Sequence, residues 1–187
     1  MKGLIQRVSS ASVAVAGDIV GEIDAGILLL LGVESTDGRA SADKLLHKVV
    51  NYRIFADAEG RMNRSLLDCG GGLLVVSQFT LVADTAKGMR PGFSAGASPQ
   101  LGRELYEYFV AQAVTKLPRV ECGQFGADMQ VSLVNDGPVT FLLLTMLMTC
   151  TTMKVLGCTI WTKGLKVQTE RFFACQESRL GHIYIVA

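Results

Sequence analysis

The sequence predicts an α+β fold built on antiparallel strands and two main helices. Three observations carry this. Short apolar runs are separated by Gly-containing turns, the pattern of strands joined by hairpins. Only two segments place apolar residues at helical spacing. Two helices are too few for a doubly wound sheet, which alternates a helix with nearly every strand.

The elements follow in chain order. "SVAVAGDIVGEI" is a hairpin of two apolar-rich runs around a Gly17-Asp18 loop, where positive φ is tolerated. "ILLLLGV" (27–33) has no alternation and reads as a strand buried on both faces. "SADKLLHKVVNY" (41–52) sets Ala42, Leu45, Leu46, Val49 and Val50 on one helical stripe, with Ser41 as its cap. After a turn-rich stretch, "LLVVSQFTLV" (73–82) reads as one strand. The loop "ADTAKGMRPGFSAGAS" is rich in Gly and small residues and carries Lys87 and Arg90. Ser98-Pro99 opens the second helix, a capping hydroxyl followed by proline at the first helical position. Its inner face is Leu101, Leu105, Tyr108, Phe109 and Gln112/Ala113. "DMQVSLV" alternates as a strand. Asn135-Asp136-Gly137-Pro138 then reads as a turn into "VTFLLL", although Pro138 removes a backbone donor where that strand should begin.

Composition narrows the function classes. The 187 residues are 49% hydrophobic and 19% charged, which fits one folded domain with an appendage. A net charge of +1 gives no global basic field of the kind that marks nucleic-acid binders. No apolar run is long enough for a membrane span, and the N-terminal stretch does not have the pattern of a secretory signal. The five cysteines are odd in number and form no C-x-x-C, so neither a disulfide framework nor a zinc site is expected. The expectation is a reduced, cytoplasmic protein with no metal, cofactor or membrane partner.

A compositional boundary falls near Thr145. The segment 145–187 holds three of the five cysteines, three of the seven methionines and the only tryptophan. It carries five Lys/Arg against two Asp/Glu, while residues 1–144 carry 13 against 15. Three readings stay open for it: a basic accessory segment that contacts RNA, a packing or oligomerisation element, or a non-native extension, the reading its composition favours.

The chemistry begins with what is missing. Hydrolytic triads need a base, usually histidine. Of the two histidines, His47 lies off the apolar stripe of its helix and His182 lies in the unusual tail. No pair of carboxylates has a spacing that implies one site, and no phosphate-binding glycine motif is present. Two polar clusters remain in apolar surroundings: Ser77-Gln78-Phe79-Thr80 and Asn135-Asp136-Gly137-Pro138-Val139-Thr140. Taken on residue physics alone, the first is a strand end with satisfied hydroxyls and the second is a turn.

Together with "MKGLIQRVSSASV", "MNRSLLD", "KGMRPGFS" and "FGADMQVSLVNDGPVTF", these clusters resemble the D-aminoacyl-tRNA deacylases, the D-tyrosyl-tRNA deacylase (DTD) family. The resemblance runs from Met1 to about Leu144, the whole length of a typical bacterial member. It implies a cytoplasmic homodimer with a barrel-like sheet that hydrolyses the ester between a D-amino acid and the 3′ end of tRNA, and also removes mischarged glycine. In the family the Gly-Pro bond is cis and enters the active site of the other subunit. Transferred to this chain, Gly137-Pro138 forms a backbone wall that rejects L-substrates. Arg7 fixes that loop through its carbonyls, since a guanidinium is a multi-donor fork. Backbone N–H groups near Phe79 and Thr80 stabilise the oxyanion, with Thr80 in a hydrogen-bonding role in preference to a nucleophilic one. Ser77 and Gln78 contact the adenosine or support the loop. Phe79, Phe125 and Met129 line the adenine or dimer side, and Lys87 and Arg90 meet tRNA phosphates. The substrate 2′-hydroxyl assists water. "MNRSLLD" departs from the family in carrying Arg64 where an apolar or small residue is common, and members normally end soon after G-P-V-T. The alternatives are a non-catalytic nucleic-acid-binding module using the basic tail and a dimeric scaffold that only binds amino acids.

Overall fold

The computed structural model describes residues 1–86 and 88–145. Lys87 and all but the first residue of the C-terminal segment lie outside the described residues, as do the three readings of that segment. Among the described residues no helix is long and apolar enough to cross a membrane, and no group of three His, Cys, Asp or Glu could hold a metal ion.

The fold is organised around β1 (Lys2–Val15). One edge of β1 pairs antiparallel with β8 (Gln130–Leu144) over almost its whole length. Its other edge pairs with β3 (Gly26–Gly32) through residues 2–8 and with β2 (Asp18–Ile23) through residues 11–15. β6 (Gly72–Ser77) joins β3, and β7 (Val120–Cys122) joins β6, both parallel. The sheet is therefore mixed, which corrects the antiparallel expectation. The chain leaves β3 through α1 (Arg39–Asn51), the small hairpin β4 (Phe55–Ala56) and β5 (Met62–Arg64), and the single turn α2 (Leu66–Cys69). It leaves β6 through a 3-10 helix (Phe79–Val82) and α3 (Pro99–Val114). Each crossover brings the chain back to the same end of the sheet, so the next strand runs parallel. The unalternated "ILLLLGV" carried this signal, because strands of parallel pairs are buried on both faces.

The sheet curls until β2 approaches β7. A Cβ on Gly21 would lie 3.0 Å from the Cys122 carbonyl oxygen. Alternate side chains then serve two cores. Ile5, Ile27, Leu29, Leu73 and Val75 pack outward beneath α1 and α3, against Leu45, Val49, Leu105 and Phe109. Val8, Val13, Ile23, Leu28, Leu74 and Val76 form the second cluster. Strands β3 and β6 meet at Gly26, where an added Cβ would collide with the Gly72 carbonyl oxygen.

Five local expectations are corrected. The hairpin loop is Ala16-Gly17, not Gly17-Asp18. Both loop residues take positive φ, +52° and +93°, which is what a two-residue loop between twisted strands demands. Ser41 is not a cap. Gly38 occupies that position, and Ser41 is buried inside α1. The second helix begins as expected, with the Ser98 hydroxyl accepting from the Leu101 amide and Pro99 at the first position. Its buried face includes Tyr106, which the apolar stripe read from sequence leaves out, while Tyr108 is half-buried at the edge. The strand expected over 73–82 ends at Ser77, and the chain turns into the 3-10 helix. Finally, Asn135–Pro138 is not a turn between strands. β8 is one 15-residue strand that carries these residues as a bulge.

Candidate functional site

Two structures on the chain carry the polar clusters, and the sheet keeps them apart. The first is a cleft of about 520 Å³ beside the end of β6. Ser77 and Gln78 form one part of its wall. Phe79 and Phe93 form another, with ring centroids 5.2 Å apart. The start of α3 contributes Ser98, Pro99 and Gly102, and the segment before β8 contributes Phe125, Asp128 and Met129.

The wall is apolar with a polar end because of how β6 stops. Ser77 is the last residue of the strand, and its neighbour Gln78 is the residue that precedes the 3-10 helix. The strand expected to run on through Thr80 therefore ends at Ser77. Phe79 is turned outward and is 67% exposed. The first N–H groups of a helix have no acceptor within it. Here those belong to Phe79 and Thr80, while the third, of Leu81, reaches the Gln78 carbonyl at 3.3 Å. Thr80 is exposed and is not part of the cleft lining. Its hydroxyl accepts a hydrogen bond from the Gln78 amide.

Phe125 is held by aromatic and helical neighbours. The Tyr106 ring lies 5.7 Å from it, and the Arg103 guanidinium lies 5.2 Å from its centroid. The Tyr106 hydroxyl is buried between the carbonyls of Val75 and Gly123, 2.9 Å from each. Burial there pushes the Tyr106 phenol far above its ordinary range, so it stays a neutral donor. Burial also raises the neighbouring Cys122 thiol, and Glu121 adds to the shift.

The second structure is the bulge on β8. Gln6 is level with Thr140 and Val8 with Asn135, so four residues of β8 stand opposite Arg7 alone. The Gly137-Pro138 bond is cis, and Gly137 has φ +139°. Both residues are exposed. Side chains hold the bulge from behind. Arg7 Nε donates to the Asp136 carbonyl at 2.9 Å and lies 3.1 Å from its carboxylate. Arg7 Nη1 donates to the Ile54 carbonyl at 2.6 Å. Asn135 Oδ1 accepts from the Val139 amide at 2.7 Å, and Asn135 Nδ2 donates to the Thr140 hydroxyl at 2.9 Å. Gln6 Nε2 also donates to that hydroxyl, at 3.4 Å. A Cβ on Gly137 would lie 2.6 Å from Val139 Cγ2 and 3.1 Å from Arg7 Nη2. Glycine is required by space and by φ alike.

The sequence-selected residues thus fall into two sets. Ser77, Gln78, Phe79, Phe125 and Met129 share the cleft, and Thr80, outside its lining, is bonded to Gln78. Arg7, Gly137 and Pro138 share the bulge, and none of them lines the cleft. In strand order β1 and β3 lie between β8 and β6, and of β8 only Val131, near its start, lines the cleft. Arg90 is exposed on the loop closed by the Asp84–Gly92 bridge, and Lys87 lies outside the described residues. Sequence reasoning assigned no role to Asn135, Thr140 or Gln6 in the bulge, or to Phe93 in the cleft. Asn135 and Thr140 were legible as polar residues flanking Gly-Pro. Phe93 sits in a loop without periodicity and gave no signal.

Known proteins are similar to this chain over the residues that carry both clusters. The family described as D-Tyr-tRNA(Tyr) deacylase matches residues 4–144. A D-aminoacyl-tRNA deacylase of Stutzerimonas stutzeri is 65% identical over 143 residues, covering 76% of this chain and 99% of that protein. One from Pseudomonas fluorescens is also 65% identical, over 145 residues, covering 78% of this chain and 100% of its own length. Among solved structures, the c-Myc DNA Unwinding Element Binding Protein superposes with a TM-score of 0.75 at 36% identity, covering 78% of this chain and 99% of that one. Agreement of a family profile and of near full-length relatives over the same residues meets the expectation from the motifs: this chain belongs to the D-Tyr-tRNA(Tyr) deacylase family.

Proposed function

We propose that this protein hydrolyses the ester between a D-amino acid and the terminal adenosine of tRNA, and spares the L-ester. Family membership supports the reaction class. The observation that carries the finer reading is the separation of the two motifs. The cleft presents Ser77, Gln78 and Phe79, yet the Gly137-Pro138 bulge stands exposed on another strand and lines none of it. A second copy of the chain resolves this. In a homodimer, each subunit supplies its bulge to the cleft of the other. β8 suits that role, since among the described residues it pairs only with β1 and exposes Leu133 and Val134.

In this reading the 3′ adenosine packs on Phe79, Phe125 and Met129, with Ser77 and Gln78 at its polar edge. The ester carbonyl turns toward the N–H groups of Phe79 and Thr80, which receive the developing oxyanion. Water adds to the carbonyl carbon, and the ribose 3′-oxygen leaves with a proton. The neighbouring 2′-hydroxyl orients that water, which accounts for a site with no histidine. His47 is exposed on α1 and contacts Asn51. Thr80 holds Gln78 and the turn in place. Carbonyls around Gly137 accept from the substrate ammonium. With ammonium and ester both held, a D side chain points to open space and an L side chain meets the Gly137-Pro138 backbone. Glycine has no side chain to reject and is hydrolysed as well. Lys87 and Arg90 meet tRNA phosphates. No cofactor takes part, and a tRNA substrate places the protein in the cytoplasm.

Deacylation of D-Tyr-tRNA, L-Tyr-tRNA and Gly-tRNA tests the reading. Fast loss of the D and glycyl esters with survival of the L-ester is expected. Equal survival of all three sinks it. That outcome would favour non-catalytic nucleic-acid binding. This second reading is suggested by the 36% identical relative, whose name makes it a DNA-binding protein, and by the basic segment after residue 145.

A further inference from the structure

The α-amino group of Met1 sits in a socket that the deacylation reading does not use. The Met1 side chain is 1% exposed and belongs to the main core. Its ammonium lies 2.6 Å from Asp37 Oδ1 and 3.0 Å from Glu34 Oε2. It also reaches the Thr145 carbonyl at 3.5 Å. The socket is built locally. The Asp37 carboxylate, 4% exposed, accepts from the Glu34 amide at 2.8 Å through its second oxygen. Among the described residues, the only cation paired with Asp37 is this ammonium. Glu34 has a second cation, Lys2, at 3.6 Å. The Met1 carbonyl accepts from the amide and hydroxyl of Thr145, at 3.0 and 3.1 Å.

We propose that the Met1 nitrogen is a modification-sensitive site, at which acylation by a formyl or acetyl group unlocks the fold. An ammonium offers three donors and a positive charge. An N-acyl amide offers one donor and no charge. It would leave Asp37 as a buried carboxylate without its counter-ion, the costly case for a charge removed from water. The acyl atoms would also need space at a residue that is only 1% exposed. The effect would be felt on β1 and β8 together, because Met1 and Thr145 close the end of that strand pair. The same pair carries Arg7 and the Gly137-Pro138 bulge. Removal of a formyl group is then a folding step: water adds to the formyl carbon, the C–N bond breaks, formate leaves and the nitrogen gains protons.

The test compares the full chain produced with and without inhibition of the deformylating hydrolase, with the N-terminus verified by mass. The formylated chain should melt lower by about 5 °C or more. Asp37→Asn should lower the free chain similarly and add little to the formylated one. Glu34→Gln, at the more exposed partner, gives a smaller shift with the same pattern and serves if Asp37→Asn does not fold. A formylated chain recovered only unfolded, beside a free chain that melts cooperatively, supports the proposal. Equal melting temperatures, or fully additive effects of Asp37→Asn and formylation, overturn it. These readouts do not depend on the substrate, so they fail or succeed independently of the deacylase reading.

Discussion

The cleft and the bulge solve opposite problems. The cleft presents side chains: aromatic rings, a thioether and a hydroxyl, carried by the end of one strand, the start of α3 and the segment before β8. The bulge presents the Gly137-Pro138 backbone, and side chains from β1 and β8 hold it. Arg7, Asn135, Thr140 and Gln6 clamp it from behind the exposed Gly137 and Pro138. A side-chain surface can adapt to its ligand by changing rotamers. A clamped backbone cannot, which suits it to exclusion by shape. On the proposed reading, one region supplies affinity and the other discrimination.

The largest effect should come from Gly137→Ala. The new Cβ clashes with Val139 and crowds Arg7, and φ +139° disfavours any side chain. D-Tyr-tRNA deacylation should fall on the order of 100-fold, the scale of a site misplaced by about 1 Å. The melting temperature should stay within a few degrees, because the residue is exposed. Wild-type rates in this variant would remove the bulge from the mechanism.

Arg7→Lys comes next. It keeps the charge and loses the fork that reaches Asp136 and Ile54 together. Single-turnover rates on both enantiomers should show roughly tenfold loss on the D-ester and a reduced D/L ratio, the scale of one lost charge-assisted bond. An unchanged ratio would mean that the bulge holds itself.

Thr80→Ala probes the cleft side. The variant removes the hydroxyl that accepts from Gln78 and keeps both N–H groups. Activity should drop by only about tenfold, the equivalent of one hydrogen bond. Abolished activity in a chain with an unaltered melting curve would instead make Thr80 the nucleophile. The smallest effect should follow removal of residues 146–187, which should leave the D/L ratio as it is. A changed ratio would show that the segment reaches the site.

Much of this molecule was legible in the sequence for local reasons. The second helix declared itself through Ser98-Pro99 and its apolar stripe, since caps and periodicity depend only on near neighbours. The two polar clusters stood out because such residues rarely interrupt apolar runs without cause. What stayed hidden depended on distant pairing. The parallel direction of β6 is set by crossovers that return the chain to one end of the sheet. The bulge in β8 exists because β1 offers one residue opposite four, and no local rule counts residues on another strand. Tertiary structure alone decided that Arg7 meets Asp136 across 129 positions of sequence, and that the Met1 nitrogen meets Asp37. By itself the sequence singled out the polar clusters as candidates for chemistry. Only the fold decided which of them share a site, because it is strand order and register that bring residues far apart in the chain within hydrogen-bonding distance.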